Sequence, residues 1–94
     1  MKIKNYNYVF VMYDVDAKRC QKVFKICKKY LSHYQNSIFR GEITPSRLMS
    51  LKRELKKVIE VSYDYVSIIK MINKHNFDEE QIGNRIPKTD EIIL

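Results

Sequence analysis

Between residues 8 and 72 the apolar residues of this chain change their spacing four times, and that alternation admits few folds. Tyr8–Tyr13 is a run of six apolar or aromatic residues, short and apolar on both sides of a pleat. It predicts a strand covered on both faces, or covered on one by a partner. From Ala17 to Leu31 the period becomes helical. Cys20, Val23, Phe24, Cys27, Tyr30 and Leu31 share one stripe at about 100° per residue, and Asp16 stands where a side-chain cap would start that helix. Tyr34 to Ile43 is extended in character and admits two readings, one bent strand or two short strands turning near Asn36–Ser37.

Thr44-Pro45 then opens a second helix, with a capping hydroxyl followed by proline at the first helical position. Leu48, Leu51, Leu55, Val58 and Ile59 form its buried stripe to about Glu60. Tyr63–Ile72 returns to a strand pattern. After Asn73 the pattern weakens, and Glu91–Leu94 reads as a terminal edge strand docking on its own sheet or on a partner's.

Strand, helix, extended region, helix, strand is an α+β order with both helices on one sheet face. With the middle region split it becomes βαββαβ, the ferredoxin-like arrangement. The 94 residues form one domain, with a core over 8–72 and a tail over 73–94. Two helices cover only one face of a sheet whose first strand is apolar on both. A second sheet is the natural lid for the other face, which predicts a symmetric homodimer.

Charge narrows the partners. Eighteen Lys and Arg against eleven Asp and Glu give a net charge of +7, which favours a polyanion such as nucleic acid over an acidic small molecule. On the first helix Lys18, Lys22, Lys25 and Lys29 lie opposite the apolar stripe with no acid among them. A solvated helix gains i,i+4 support by alternating signs, so an all-lysine row points to phosphates.

Several chemistries fall away. Two glycines in the whole chain leave nothing from which to build a phosphate-cradling loop. Cys20 and Cys27, about 10 Å apart along a helix axis, exceed the ~7 Å reach of a disulfide and read as reduced core thiols. His33 and His75 have neither metal-type spacing nor a neighbouring nucleophile. The N-terminal apolar run stops at an acid after six residues, too short for a signal core or a membrane span. The expectation is a cytoplasmic protein with no membrane association.

What remains is Asp14. Asp16 sits closer to the helix start and takes the capping role, which leaves Asp14 at the C-terminal tip of a buried strand. Functional side chains gather there in sheets flanked by helices. One carboxylate alone is a poor metal site, but magnesium takes one or two carboxylates together with waters and phosphate oxygens. A two-fold axis near the end of the first strand would pair Asp14 with its mate around such an ion, able to polarise a phosphodiester or activate water.

Taken together, several motifs over roughly residues 8–72 resemble the CRISPR-associated Cas-two family. They are the apolar strand ending Tyr13-Asp14, the next helix with Arg19, the segment Gln35-Asn36-Ser37-Ile38-Phe39-Arg40-Gly41-Glu42, the Thr44-Pro45 start and the last strand DYVSIIKM. The resemblance implies a ferredoxin-like homodimer whose last strand packs on the partner. It implies a metal-dependent endonuclease acting on single-stranded RNA or double-stranded DNA, with Mg2+ (or Mn2+) held by Asp14 at the dimer interface. Tyr13, Arg19, Ser37 and Phe39 are carried over with Asp14 as catalytic candidates. It also implies an adaptor role in spacer acquisition, as a dimer bridging two dimers of the Cas-one integrase. The lysine row is a reading of this sequence, not a property the family supplies. Residues 1–7 and 73–90 carry no clear motif of the family. A stand-alone toxin-type ribonuclease on the same fold is the competing function. A non-enzymatic RNA-binding module is disfavoured, because Arg40-Gly41-Glu42-Ile43 breaks the aromatic RNP pattern.

Overall fold

A computed structural model describes residues 5–83. The elements run β1 (Tyr8–Asp14), α1 (Ala17–Tyr30), β2 (Ser32–Gln35), β3 (Ile38–Glu42), α2 (Pro45–Val58) and β4 (Tyr65–Met71). The strands form one sheet in the order β2-β3-β1-β4, with every neighbouring pair antiparallel. This is the expected βαββαβ order. The expectation of a strand at Glu91–Leu94 lies outside the described residues.

Both helices start where their caps dictate. The Asp16 carboxylate accepts from the Lys18 N–H at 3.0 Å, and the Thr44 hydroxyl accepts from the Arg47 N–H at 3.2 Å ahead of Pro45. Each satisfies an amide that has no partner within its own helix. α1 ends one residue before the apolar stripe does. Leu31 still donates to the Cys27 carbonyl at 2.9 Å, but its backbone is extended. That frees Ser32 to pair with Arg40 and begin β2 two residues earlier than the sequence pattern suggested.

The open question over residues 34–43 is resolved as two strands. Asn36 turns the chain at φ 44°, a left-handed conformation that asparagine tolerates better than most residues. β4 is shorter than the apolar run Tyr63–Ile72. Tyr63 and Asp64 both donate backbone N–H groups to the Glu60 carbonyl, and they form the turn that closes α2.

Alternation along β1 divides the sheet. Val9, Val11 and Tyr13 face the helices and are buried with Phe39, Ile43, the α1 residues Val23, Phe24 and Cys27, and the α2 residues Leu48, Leu51 and Leu55. Tyr8, Phe10, Met12 and Asp14 point the other way. Their register partners Met71, Ile69, Ser67 and Tyr65 on β4 share that face, as do Glu42, Arg40 and Ile38 on β3. No helix covers it among the described residues.

The segment after β4 folds back over one end of this open face. Phe77 packs at 5.6 Å from Tyr8 and 5.5 Å from Phe10, ring centre to ring centre. Glu79 accepts from Arg40 Nη1 at 2.6 Å and from the Tyr34 hydroxyl at 2.7 Å, while Arg40 lies 4.3 Å over the Tyr34 ring. The other end of the face, with Met12, Asp14, Ser67 and Tyr65, stays clear of these contacts. Both cysteines are free thiols, and burial pushes Cys27 up to about 12. No helix among the described residues is long and apolar enough to cross a membrane.

Candidate metal and nucleic-acid site

Asp14 is the last residue of β1 and its side chain is exposed on the open face, directly across from Tyr65. The peptide that follows it is held firmly. Asp16 N–H donates to Asp64 Oδ1 at 2.9 Å, the Cys20 thiol donates to the Val15 carbonyl at 3.5 Å, and Arg19 N–H donates to the Asp16 carbonyl at 2.8 Å.

The other carried-over residues lie apart from that carboxylate. Tyr13 is one residue away but on the helix side of the sheet, and its phenol is pushed far above the usual range, chiefly by burial. It stays protonated at any working pH. Its N–H donates to the Ser37 carbonyl at 3.1 Å, which places Ser37 at the β2–β3 turn beside β1. Phe39 is completely buried, with ring centres at 6.3 Å from Tyr13, 5.1 Å from Phe24 and 5.0 Å from His33. It offers no face to a base. Arg19 turns inward and places Nε and Nη2 at 2.6 and 3.0 Å from the two oxygens of Asp64. Of the five, only Asp14 presents to solvent a charged group that makes no ion pair among the described residues.

Asp64 is the residue that sequence reading missed. The strand pattern over Tyr63–Ile72 includes it, yet it is the one buried charged residue among those described. The Arg19 guanidinium holds its carboxyl well below the usual carboxylate range, helped by backbone N–H donors from Glu60 and Asp16. The available signal was a lone acid between aromatics at the mouth of an apolar strand. Burial there would demand a cationic partner.

A metal can be tested against the donors present. No group of three or more His, Cys, Asp or Glu side chains converges among the described residues, which does not fit zinc. A single exposed carboxylate does fit a hard cation that keeps most of its waters, more so if a second copy supplies another.

The lysine row is real but uneven. Lys18, Lys22 and Lys25 are exposed on α1 and make no ion pair among the described residues. Lys29 departs from the row by pairing with Glu54 of α2, which also accepts from the Tyr30 hydroxyl. The Glu54 carboxyl is lowered chiefly by that lysine.

Fold and site together define a small basic protein of the ferredoxin-like class, with a solvent-facing carboxylate that has no partner among the described residues where its first strand meets its first helix. The family description CRISPR associated protein Cas2 matches residues 7–93. The chain is 42% identical over 86 residues to the CRISPR-associated endoribonuclease Cas2 3 of Thermodesulfovibrio yellowstonii, covering 92% of this chain and 98% of that one. It is 36% identical over 91 residues to the CRISPR-associated endoribonuclease Cas2 of Fusobacterium nucleatum, covering 92% and 86%. A solved structure titled "Crystal structure of cas2" superposes with a TM-score of 0.76 at 38% identity, over 84% of this chain and 88% of that one. This chain belongs to the CRISPR-associated Cas2 family.

Proposed function

We propose that this protein is a magnesium-dependent endoribonuclease that works as a symmetric homodimer, with Asp14 of each copy at the shared centre. The observation that carries the reading is the position of Asp14. It is exposed at the tip of β1, on a sheet face that has no second layer among the described residues. The relatives' description as endoribonucleases supports the reaction class. Tyr8, Phe10 and the chain after β4 occupy one end of the open face. The clear end, with Met12, Ser67, Tyr65 and Asp14, is therefore where a second sheet would seat, and a two-fold axis there would bring both carboxylates together. Two like charges at that distance repel, and a divalent cation removes the repulsion.

Asp14 and its mate would hold the cation, which when bound supplies a polarised phosphoryl oxygen and an acidified water. The remaining contribution is positional. The clamped Val15–Asp16 backbone fixes Asp14, and the protonated Tyr13 beneath it offers no competing base. Cleavage of end-labelled single-stranded RNA should require Mg2+, stop with excess EDTA and return with added Mg2+ or Mn2+, while sedimentation reports two chains per particle. Cleavage that persists in excess EDTA, or a particle of one chain, would defeat the reading.

A second role, as a nucleic-acid-binding adaptor bridging Cas-one integrase dimers, is favoured by the outward lysines of α1. Their charge is not cancelled by acids on the same helix. Replacing Lys18, Lys22 and Lys25 with Gln should flatten the slope of log K against log salt for duplex DNA by about 0.9 per contact removed. Lys29→Gln should change it little, because Glu54 already holds that ammonium. An equal effect from all four would show that the Glu54 pairing does not persist on DNA. Co-purification with the integrase separates this role from a stand-alone toxin-type ribonuclease, which would need no such partner.

A further inference from the structure

Arg19 belongs to the set that family resemblance places in catalysis, yet its geometry is that of a strut. Its side chain is 16% exposed, and two of its donors are spent on a carboxylate whose side chain is 0% exposed. Asp64 has no acceptor capacity to spare. Oδ1 takes the Asp16 N–H at 2.9 Å and Arg19 Nη2 at 3.0 Å, while Oδ2 takes Arg19 Nε at 2.6 Å and the Glu60 N–H at 2.8 Å. Those four bonds join the turn after β1, the first turn of α1 and the chain leaving α2. The turn after β1 starts immediately after Asp14.

We infer that Asp64 is a positioning residue for Asp14, and that Arg19 acts on the reaction only through Asp64 and not by touching a phosphate. Charge balance supports this. The paired guanidinium and carboxylate sum to zero, so the site presents no net cation to RNA. Removing either partner leaves the other's charge without its counterion, and removing Asp64 also frees the Asp16 amide that fixes the strand end. Arg's planar fork also matters here, because a lysine can meet a phosphate as a point charge but cannot reproduce the two-oxygen contact.

The inference rests on the reading of Asp14 as the metal carboxylate, so Asp14→Asn is run alongside. Loss of an outer partner of a metal ligand typically costs 10–100-fold. Arg19→Gln, Arg19→Lys and Asp64→Asn should each lower kcat by about that factor and weaken Mn2+ binding, followed by electron paramagnetic resonance, with KM for RNA within about twofold. The double variant Arg19→Gln/Asp64→Asn should cost no more than the worse single one, since the two act as a unit. In EDTA, Arg19→Gln should leave the salt slope of RNA binding unchanged. Near-normal activity in Arg19→Lys, a raised KM with a flatter slope in Arg19→Gln, or additive losses in the double variant would each overturn the inference by showing a phosphate contact. The lysine comparison decides the matter even if Asp64→Asn fails to fold. If Asp14→Asn cleaves normally, both the inference and the reading beneath it fall. If Asp14→Asn is inactive while the Arg19 and Asp64 variants match the wild type, only the inference falls.

Discussion

Asp14→Asn should abolish metal-dependent RNA cleavage, with kcat reduced by about a thousandfold, and should leave folding and RNA binding intact. The magnitude follows from the role. A cation at a phosphodiester stabilises the transition state by several kcal/mol, and each 1.36 kcal/mol is about tenfold in rate. Asparagine keeps the shape of the side chain and removes the charge that would hold the ion. Asp14 is exposed and makes no contact that the fold relies on, so the substitution should change stability by no more than about 0.5 kcal/mol. One further consequence separates an ionic role from a structural one. Without metal, two facing carboxylates oppose association, so the Asn variant should dimerise in EDTA at least as tightly as the wild type. Single-turnover cleavage and sedimentation equilibrium, with and without Mg2+, check both parts. Wild-type cleavage by the variant would remove Asp14 from the mechanism.

The layered fold was readable because each element carries its own local signal. Asp16 and Thr44-Pro45 mark both helix starts by side-chain chemistry acting over two or three residues. Tyr8–Tyr13, apolar on both faces, announces a sheet with an unlayered side. The split of β2 from β3 was not decidable, since it depends on Asn36 entering a left-handed conformation that asparagine permits without requiring. Periodicity also cannot say which side of a doubly apolar strand meets the helices. The Val11–Phe39 register settles that and sends Phe39 inward.

Long-range pairing left no trace in the pattern. Asp64 is 48 residues from Asp16 and 45 from Arg19, so their contact has no period to detect. The same is true of Glu79 with Arg40, 39 residues apart, where the arginine and two further hydrogen bonds lower the glutamate to about 2. Residues 73–83 read as a weak polar stretch because the two residues that anchor them, Phe77 and Glu79, are held by the sheet. Phe77 is ordered by Tyr8 and Phe10, not by its own neighbours. Lys29 shows the converse. Its helical angle places it in the lysine row, but the angle carries no sign that α2 brings Glu54 against it. The candidate site was thus legible in its exposed charge and illegible in what holds that charge still.

Phe39→Ala should cost about 3–5 kcal/mol of stability, the range for removing a large aromatic ring from a packed core. The ring is fully buried where β3 meets α1, and Tyr13, Phe24 and His33 surround it with centroids at 5.0–6.3 Å. Alanine leaves a void that the two-layer sandwich cannot close by shifting one side chain, because its own strand β3 is held by pairing with β1 on one side and β2 on the other. Domains of this size have total stabilities on the order of 5–15 kcal/mol, so the variant should be close to unfolding at 37 °C. An activity assay at that temperature would then report a loss with no catalytic cause. Urea titration followed by far-ultraviolet circular dichroism should show a lower midpoint with an unchanged slope. At a temperature where the variant remains folded, its affinity for single-stranded RNA should match the wild type. Unchanged stability together with weakened RNA binding would instead place the Phe39 ring against a base, and would require β3 to present its opposite face to the helices.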